Sequence, residues 1–357
     1  MNTRSSEFLT RLMLEHPIIQ APMAGASSPA MAAAVSSSGA LGSLGLGAAG
    51  AKGAGEMIDA TRKLTDRSLH VNLFCHEPAR GNSSLESAWL KRLRPEFAKY
   101  GAEPPPRLRE IYTSFLDDDA MLELLLAKRP AVVSFHFGLP NGAKLRRLHE
   151  AGIFLMASAT NLHEALAIAE SGVDAVIAQG YEAGGHRGVF DPSKVDDKLG
   201  TLALTRLLVR KLEIPVIAAG GIMDGAGIAA ALQLGAVAAQ LGTAFVGCPE
   251  SLADSGYRAA LKSDAAYHTV MTAVISGRPA RCLANRFTHW GSAVQPEEIP
   301  AYPISYDAGK ALHAAAKTKA EFGYGAQWAG QGAPLARSMP AADLVRELVR
   351  ELAQAAR

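Results

Sequence analysis

The chain has 357 residues, a length that suggests two domains or one large barrel with an added lobe. Apolar residues make up 48% and charged residues 20%, which excludes an intrinsically disordered chain. The 36 basic and 34 acidic side chains leave a net charge of +2, so sequence-independent binding of nucleic acid has no support. Three cysteines, Cys75, Cys248 and Cys282, are too widely spaced for a disulfide framework or a CxxC metal site.

No targeting or membrane-spanning segment is expected. The N-terminal segment lacks the apolar core of a secretory signal. The longest weakly polar run, 226–247, contains Gln233 and Gln240 and divides into a helix-like half and a strand-like half. We therefore expect a soluble, cytoplasmic protein that binds no membrane, no nucleic acid and no metal.

Short apolar runs recur along the first two thirds of the chain, and glycine or proline bounds most of them. Such runs are typical of strands that are buried on both faces. The predicted strands, in chain order, are 17–23, 40–47, 69–75, 131–138, 152–158, 174–180, 215–221 and 236–245.

Helical patterns separate several of these strands, at 28–38, 161–171, 202–212 and 226–234. Asn161 is expected to cap the second of these helices, with Glu164 three residues later. Alternation of helices with eight strands predicts an α/β fold, a (β/α)8 TIM barrel over 1–250. A doubly wound open sheet is the alternative.

Two regions depart from this alternation. A long excursion at about 76–130 separates the third strand from the fourth and contains a helical stretch at 116–128. Beyond the barrel, 251–335 predicts a second, smaller and mostly helical lobe that covers the barrel mouth. The remaining 336–357 contains apolar residues at helical spacing over 341–356, and this helix should pack back against the rest of the protein.

Glycine-rich turns are the first candidates for a ligand site. The segment GLGAAG at 45–50 matches GxGxxG, but no carboxylate ends the next strand, so we interpret it as a tight turn. The turns after the seventh and eighth strands are more specific, because these two loops commonly form the phosphate site of a barrel. Ordinary turn chemistry is the alternative. The residues concerned are Gly220, Gly221, Gln240, Leu241, Gly242 and Thr243.

Polar residues at other strand ends complete the candidate site. His186 follows the sixth strand and is flanked by glycines, so we interpret it as catalytic or ligand-contacting rather than structural. Gln20, Met23 and Asn72 also lie at strand ends, where amides suit the heteroatom edge of a planar cofactor and a methionine suits its face. From spacing alone, ordinary core and turn residues are the favoured alternative for these three. His136 and His76 are interpreted as hydrogen-bonded structural residues.

The sequence lacks a serine-nucleophile motif, HExxH, a Walker loop and paired Cys/His ligands. A redox enzyme would therefore need an organic cofactor.

The chain contains, in this order, the segments PIIQAPMAG, HVNLF, VVSFHFG, GVDAVIAQGYEAGGHRG, IPVIAAGGI and AAQLGTAF. Together they resemble the nitronate monooxygenases, formerly called 2-nitropropane dioxygenases, over nearly the whole chain. A further segment at 302–310, YPISYDAGK, is similar to the motif of class I of that family. FMN enoyl-acyl-carrier-protein reductases and NADH:quinone reductases share the superfamily and are the alternative function. A non-catalytic flavin-binding protein is the third hypothesis.

The resemblance implies an FMN-dependent barrel that oxidises alkyl nitronates, such as propionate 3-nitronate, with O2. The implied products are carbonyl compounds with nitrite or nitrate, formed through a flavin semiquinone and without NAD(P)H. A monomer or homodimer is expected, acting in detoxification. By resemblance, His186 is the active-site histidine and Met23 lies near the flavin. The FMN-contacting positions implied are Asn72, Gln179, Gly184, Gly221 and Gln240 to Thr243, and the substrate-binding positions are Tyr112, Tyr302, Tyr306 and Lys310.

Overall fold

The computed structural model describes residues 3–355, and in this range the chain forms eleven strands. They are β1 (Ile18–Gln20), β2 (Gly42–Gly45), β3 (Leu69–Phe74), β4 (Val132–His136), β5 (Phe154–Ala159), β6 (Ala175–Gln179), β7 (Gly185–His186), β8 (Val216–Ala219), β9 (Ala238–Leu241), β10 (Thr269–Thr272) and β11 (Ala280–Leu283).

Eight of these strands are parallel neighbours in the order β1-β9-β8-β6-β5-β4-β3-β2. A bridge between Ile19 and Leu41 joins the two ends of the sheet and closes the ring. The predicted (β/α)8 barrel is therefore confirmed, and the open-sheet alternative is wrong. Each barrel strand is shorter than its apolar run, and the glycines and prolines that bound most of the runs lie outside the strands.

The helices follow the strands as expected for this fold. They are α1 (Thr3–Arg11), α2 (Pro29–Ser37), α3 (Ala51–Arg62), α4 (Ser83–Ala98), α5 (Asp119–Lys128), α6 (Gly142–Glu150), α7 (Leu162–Glu170), α8 (Thr201–Lys211), α9 (Gly225–Gln233), α10 (Thr243–Val246), α11 (Ser255–Leu261), α12 (Arg286–Gly291), α13 (Ile304–Lys317) and α14 (Ala341–Ala355). Asn161 caps α7 as predicted, since its side-chain oxygen accepts a 2.9 Å hydrogen bond from the backbone N–H of Glu164.

The smaller lobe contains a sheet as well as helices. Strands β10, β11 and β7 form a three-stranded antiparallel sheet, and α11, α12 and α13 accompany it. The sequence predicts a mostly helical lobe. It does not reveal these strands, because a four-residue strand is too short for its pattern to be distinguished from helix or loop. Strand β7 comes from the loop after β6, so this sheet attaches the lobe directly to the barrel: His186 pairs with Ala280, and Gly185 pairs with Arg281.

The excursion between β3 and β4 packs partly against the barrel and partly against the smaller lobe. Met121 and Leu122 of α5 lie in the apolar core of the barrel. In contrast, Trp89 of α4 shares an apolar cluster with Phe287 of α12 and Leu312 of α13. The lobe thus takes part of its core from inside the barrel sequence. The division into 1–250, 251–335 and 336–357 stays a prediction.

Helix α14 packs against the outside of the barrel. Leu344, Val345 and Leu348 are buried in a cluster that includes Met31 of α2 and Ile228 of α9. The side chain of Glu351 also accepts a 2.9 Å hydrogen bond from the backbone N–H at the start of α9. The last residue of the predicted helix 341–356 lies outside the described residues. No helix within 3–355 combines the length and apolar content needed to cross a membrane.

Candidate active site

A cavity of about 690 Å³ lies over the carboxyl ends of the barrel strands, where the lobe meets the barrel. This is the face at which barrel enzymes place their catalytic groups. Most of the predicted site residues line it, although they come from distant parts of the sequence. The lining residues among them are Met23, Asn72, Tyr112, Gln179, Gly184, His186, Gly220, Gly221, Gln240, Gly242, Thr243, Tyr306 and Lys310.

Gln20 and Leu241 do not line the cavity. Gln20 is fully buried in the barrel, where its Nε2 donates to Ser27 Oγ at 2.9 Å and its Oε1 accepts from the backbone N–H of Ser43 at 2.8 Å. Leu241 lies in the apolar core, because alternation along β9 turns it away from the side of Gln240. Both side chains therefore pack behind the walls of the cavity and do not line it.

Tyr302 also lies behind the cavity rather than on its surface. Its ring is 6% exposed and packs 5.3 Å, centre to centre, from the ring of His186. It forms an aromatic cluster with Tyr112 and Phe137, and within the described chain its hydroxyl has no hydrogen-bond partner. Tyr302 thus supports His186, whereas Tyr306, one helical turn later, reaches the cavity.

The loop that carries His186 is held by hydrogen bonds from the strand ends. Gln179 Nε2 donates to the backbone carbonyl of His186 at 3.0 Å, and Gln179 Oε1 accepts from the backbone N–H of Gly188 at 2.7 Å. His136 Nε2 also donates to the His186 carbonyl at 3.1 Å, while His136 Nδ1 lies 3.0 Å from Ser158 Oγ. His136 is hydrogen-bonded as interpreted from the sequence, whereas for His76 the interpretation is wrong, because neither of its ring nitrogens has a hydrogen-bond partner among the described residues. These contacts leave the loop little freedom to move.

Burial keeps the histidines of the site neutral. It lowers the pKa of His186 to about 3, and the nearby charge of Arg278 acts in the same direction. Burial likewise lowers the pKa of His136 to about 4. At neutral pH, His186 can therefore accept or donate a hydrogen bond, but it carries no positive charge.

A buried polar chain orients Asn72 at the end of the barrel. Asn72 Nδ2 donates to Ser134 Oγ at 2.8 Å, and His70 Nε2 lies 2.6 Å from the same oxygen. The other ring nitrogen of His70 lies 2.8 Å from Ser43 Oγ. These contacts direct the amide nitrogen of Asn72 inward and leave its amide oxygen for a ligand. Gln240 Oε1 is also buried at the cavity and has no partner among the described residues.

Glycine turns form the opposite wall. Gly220 and Gly221 adopt φ values of +124° and +68°, a region in which side chains are strained. Gly242 follows β9, and Thr243 Oγ1 accepts from the backbone N–H of Gly330 at 2.9 Å. Glycine-rich turns of this kind can expose backbone N–H groups, which suit an anionic ligand. No cluster of three metal-ligating side chains occurs in the described range.

The lobe contributes a cation and aromatic side chains. Lys310 Nζ lies 5.3 Å from the ring centre of Tyr112 and 5.2 Å from that of Tyr306. Burial lowers the pKa of Lys310, and the charge of Asp307 opposes this shift. The ring of Trp328 lies 5.0 Å from that of His186. A positive charge and two tyrosine side chains thus line the same cavity as the histidine.

Comparison with known proteins agrees with this geometry. The model of the nitronate monooxygenase family matches residues 6–351. A nitronate monooxygenase of Paraburkholderia phytofirmans is 60% identical over 99% of this chain and 96% of its own length. One from Pseudomonas aeruginosa is 53% identical over 96% of this chain and 98% of its own. The chain belongs to the nitronate monooxygenase family.

Solved structures extend the similarity to three dimensions. A nitroalkane oxidase from Streptomyces ansochromogenes is 41% identical, covers 98% of both chains and superposes with a TM-score of 0.89. FabK from Thermotoga maritima is 28% identical over 98% of this chain and 96% of its own, with a TM-score of 0.75. The chain is thus an oxidoreductase, a nitronate monooxygenase, and its family implies a flavin cofactor. The unpartnered amide oxygen of Gln240 and the uncovered glycine turns suit such a ligand.

Sequence reasoning did not identify several residues of this nitronate monooxygenase site. Ser134 and Ser158 line the cavity from inside β4 and β5, and Trp328 and Tyr257 line it from the lobe. A polar residue within an otherwise apolar strand was an available signal for the two serines. Trp328 and Tyr257 had no such signal, because only the packing of the lobe brings them to the barrel mouth.

Proposed function

We propose that the protein uses FMN to oxidise alkyl nitronates with O2, yielding carbonyl compounds and nitrite or nitrate without NAD(P)H. The observation that carries this proposal is the placement of Lys310, Tyr112 and Tyr306 beside His186, in one cavity with the glycine turns. Nitronates are anions, and a cation with hydroxyl donors is the chemistry that recognises them.

The choice of FMN rests on the glycine turns. We assign one phosphate group to the turns after β8 and β9, whose Gly221 and Gly242 line the cavity. The GLGAAG segment leads into α3, yet β3 ends without the carboxylate that binds a dinucleotide ribose. Asn72, Gln179 and Gln240 would contact the polar edge of the flavin ring, and Met23 its face. When bound, FMN would supply the transfer of electrons from the nitronate to O2.

Substrate binding is assigned to the lobe side of the cavity. Burial raises the pKa of Tyr306 to about 12 and that of Tyr112 further, so both hydroxyls stay protonated and can donate to nitronate oxygens. Lys310 supplies the opposite charge. His186 is neutral and therefore adds no charge to the site.

Oxygen uptake with propionate 3-nitronate, measured with and without NADH, tests the proposal. We expect uptake that does not depend on NADH, and mass spectrometry of the released cofactor should give FMN. Anaerobic bleaching of the flavin by NADH, with no oxygen uptake on the nitronate, would instead identify a reductase. A flavin that no donor reduces would identify a binding protein, and release of FAD would refute the cofactor assignment.

A further inference from the structure

The hydroxyl group of Ser276 lies directly behind His186. Ser276 belongs to the turn between β10 and β11 and is fully buried. Its Oγ is 2.9 Å from His186 Nε2 and 3.1 Å from the backbone carbonyl oxygen of Arg278. Because β11 also pairs with β7, the strand that contains His186, the serine and the histidine are held by the same small sheet.

The two contacts of Ser276 determine where the ring proton of His186 lies. A serine hydroxyl has one proton, and a carbonyl oxygen can only accept. When Ser276 donates to the Arg278 carbonyl, its oxygen remains free to accept from a proton on His186 Nε2. If Ser276 instead donated to Nε2, the buried carbonyl would lose this partner. Only the arrangement with the proton on Nε2 satisfies both contacts, and buried polar groups are nearly always satisfied.

The other ring nitrogen of His186 is left available to a ligand. His186 lines the cavity, and its Nδ1 has no hydrogen-bond partner among residues 3–355. The surroundings of the ring disfavour a second proton. The titratable and charged groups around it are His76, His136, Arg278, Tyr302 and Tyr306, of which Arg278 is a buried cation.

We propose that Ser276 is a positioning residue that holds His186 as the Nε2–H tautomer, so that the site presents a hydrogen-bond acceptor at Nδ1. This inference rests on the proposed function only for the role of His186 at the substrate. An acceptor repels the anionic oxygens of a nitronate and therefore turns them towards the donors Lys310, Tyr112 and Tyr306. Ser276 would thus help to set the orientation of the substrate without touching it.

The test is the ring 15N spectrum of the flavin-bound protein labelled with 15N-histidine. Chemical shifts of the two ring nitrogens show which one carries the proton, and His186→Gln identifies the signals. We expect His186 to be protonated at Nε2 in the wild type and in Ser276→Thr, which keeps a hydroxyl. Ser276→Ala should lose this preference. Nδ1–H in the wild type, or an unchanged tautomer in Ser276→Ala, would overturn the proposal.

Ser305→Ala is the matched control. Ser305 is also a fully buried serine of the lobe, but its hydroxyl has no hydrogen-bond partner within the described residues. Its removal should leave the His186 signals as in the wild type; if it shifts them as Ser276→Ala does, loss of a buried hydroxyl alone explains the effect. If Ser276→Thr fails to fold, the tautomers of His186 in the wild type and in Ser276→Ala are still sufficient to test the proposal.

Nitronate kinetics separate the two proposals. Ser276→Ala should lower kcat/KM by about 2- to 12-fold, the equivalent of one neutral hydrogen bond, and Ser276→Thr should restore it. Wild-type protein with the Nε2–H tautomer but without nitronate oxidation would refute the proposed function alone. Nitronate oxidation by wild-type protein with an Nδ1–H tautomer would refute the role of Ser276 alone.

Discussion

The two sides of the cavity are built in different ways. The barrel side consists of glycine turns and strand-end amides, such as Gly221, Gly242 and Asn72, whose positions follow from the closed ring of strands. The lobe side consists of long side chains, Tyr306, Lys310 and Trp328. The elements that carry them pack against the apolar cluster of the lobe rather than against that of the barrel. Backbone groups on a rigid barrel suit a ligand that stays bound, and side chains suit one that is exchanged. Changes on the two sides should therefore have separable effects.

The largest effect is expected from Gly242→Asp on the barrel side. The carboxylate would lie where the proposed phosphate binds and would repel it, so the protein should fold but purify largely without flavin. The flavin-to-protein absorbance ratio measures this. Gly242→Ala is the control, because a Cβ there would lie 3.4 Å from Ala21 Cβ and 3.7 Å from Met23 Sδ, which are ordinary contacts. Full flavin occupancy in Gly242→Asp would place the phosphate elsewhere.

On the lobe side, Lys310→Met should spare the flavin and weaken substrate capture. A charge-assisted contact contributes about 1.5–3 kcal/mol, which corresponds to a loss of roughly 10- to 150-fold in kcat/KM. The loss should appear mainly in KM, and it should be larger for a nitronate that bears a carboxylate than for an alkyl nitronate. Lys319→Met, an exposed lysine of the same lobe, is the control. Unchanged kcat/KM with both substrates would remove Lys310 from the site.

A smaller difference is expected between two neighbouring tyrosines. Tyr306→Phe should lower kcat/KM roughly 10-fold, since water can partly replace a hydroxyl in an open cavity. Tyr302→Phe removes a hydroxyl that has no partner within the described chain and lies outside the cavity, so activity should remain and stability should not fall. Steady-state oxygen uptake and Tm compare the pair. A larger loss in Tyr302→Phe would show that Tyr302 reaches the substrate.

The smallest effect on catalysis is expected from pH. Burial lowers the pKa of His186 to about 3, so this residue should not titrate near pH 6.5. The pH profile of kcat/KM should therefore contain no inflection near pH 6.5 that is present in the wild type and absent from His186→Gln.

The stability of the protein should nevertheless depend on pH. The unfolded state binds protons to these histidines below about pH 6.5, whereas the folded state does not, so the free energy of unfolding should fall as pH drops from 6.5 towards 4. Each buried histidine contributes up to about 1.4 kcal/mol per pH unit. A Tm that is constant over this range would contradict the buried, neutral state.

The sequence alone was sufficient to predict the barrel. The eight predicted apolar runs, most of them bounded by glycine or proline, correspond to the eight barrel strands, and Asn161 caps α7 as its spacing to Glu164 indicated. These features depend on neighbouring residues, whose preferences act within a few positions along the chain. The glycine turns after β8 and β9 were predictable for the same reason, because parallel strands bring their carboxyl ends to one face.

Only the tertiary structure decided how the lobe completes the cavity. Tyr112 and Tyr306 meet across almost two hundred positions of sequence, and Tyr302 turns behind His186 although it belongs to the same motif. The pairing of β7 with β11 and the position of Ser276 likewise had no local pattern to reveal them. Short strands and single buried contacts are selected by packing between distant segments, and packing depends on the whole fold rather than on neighbouring residues.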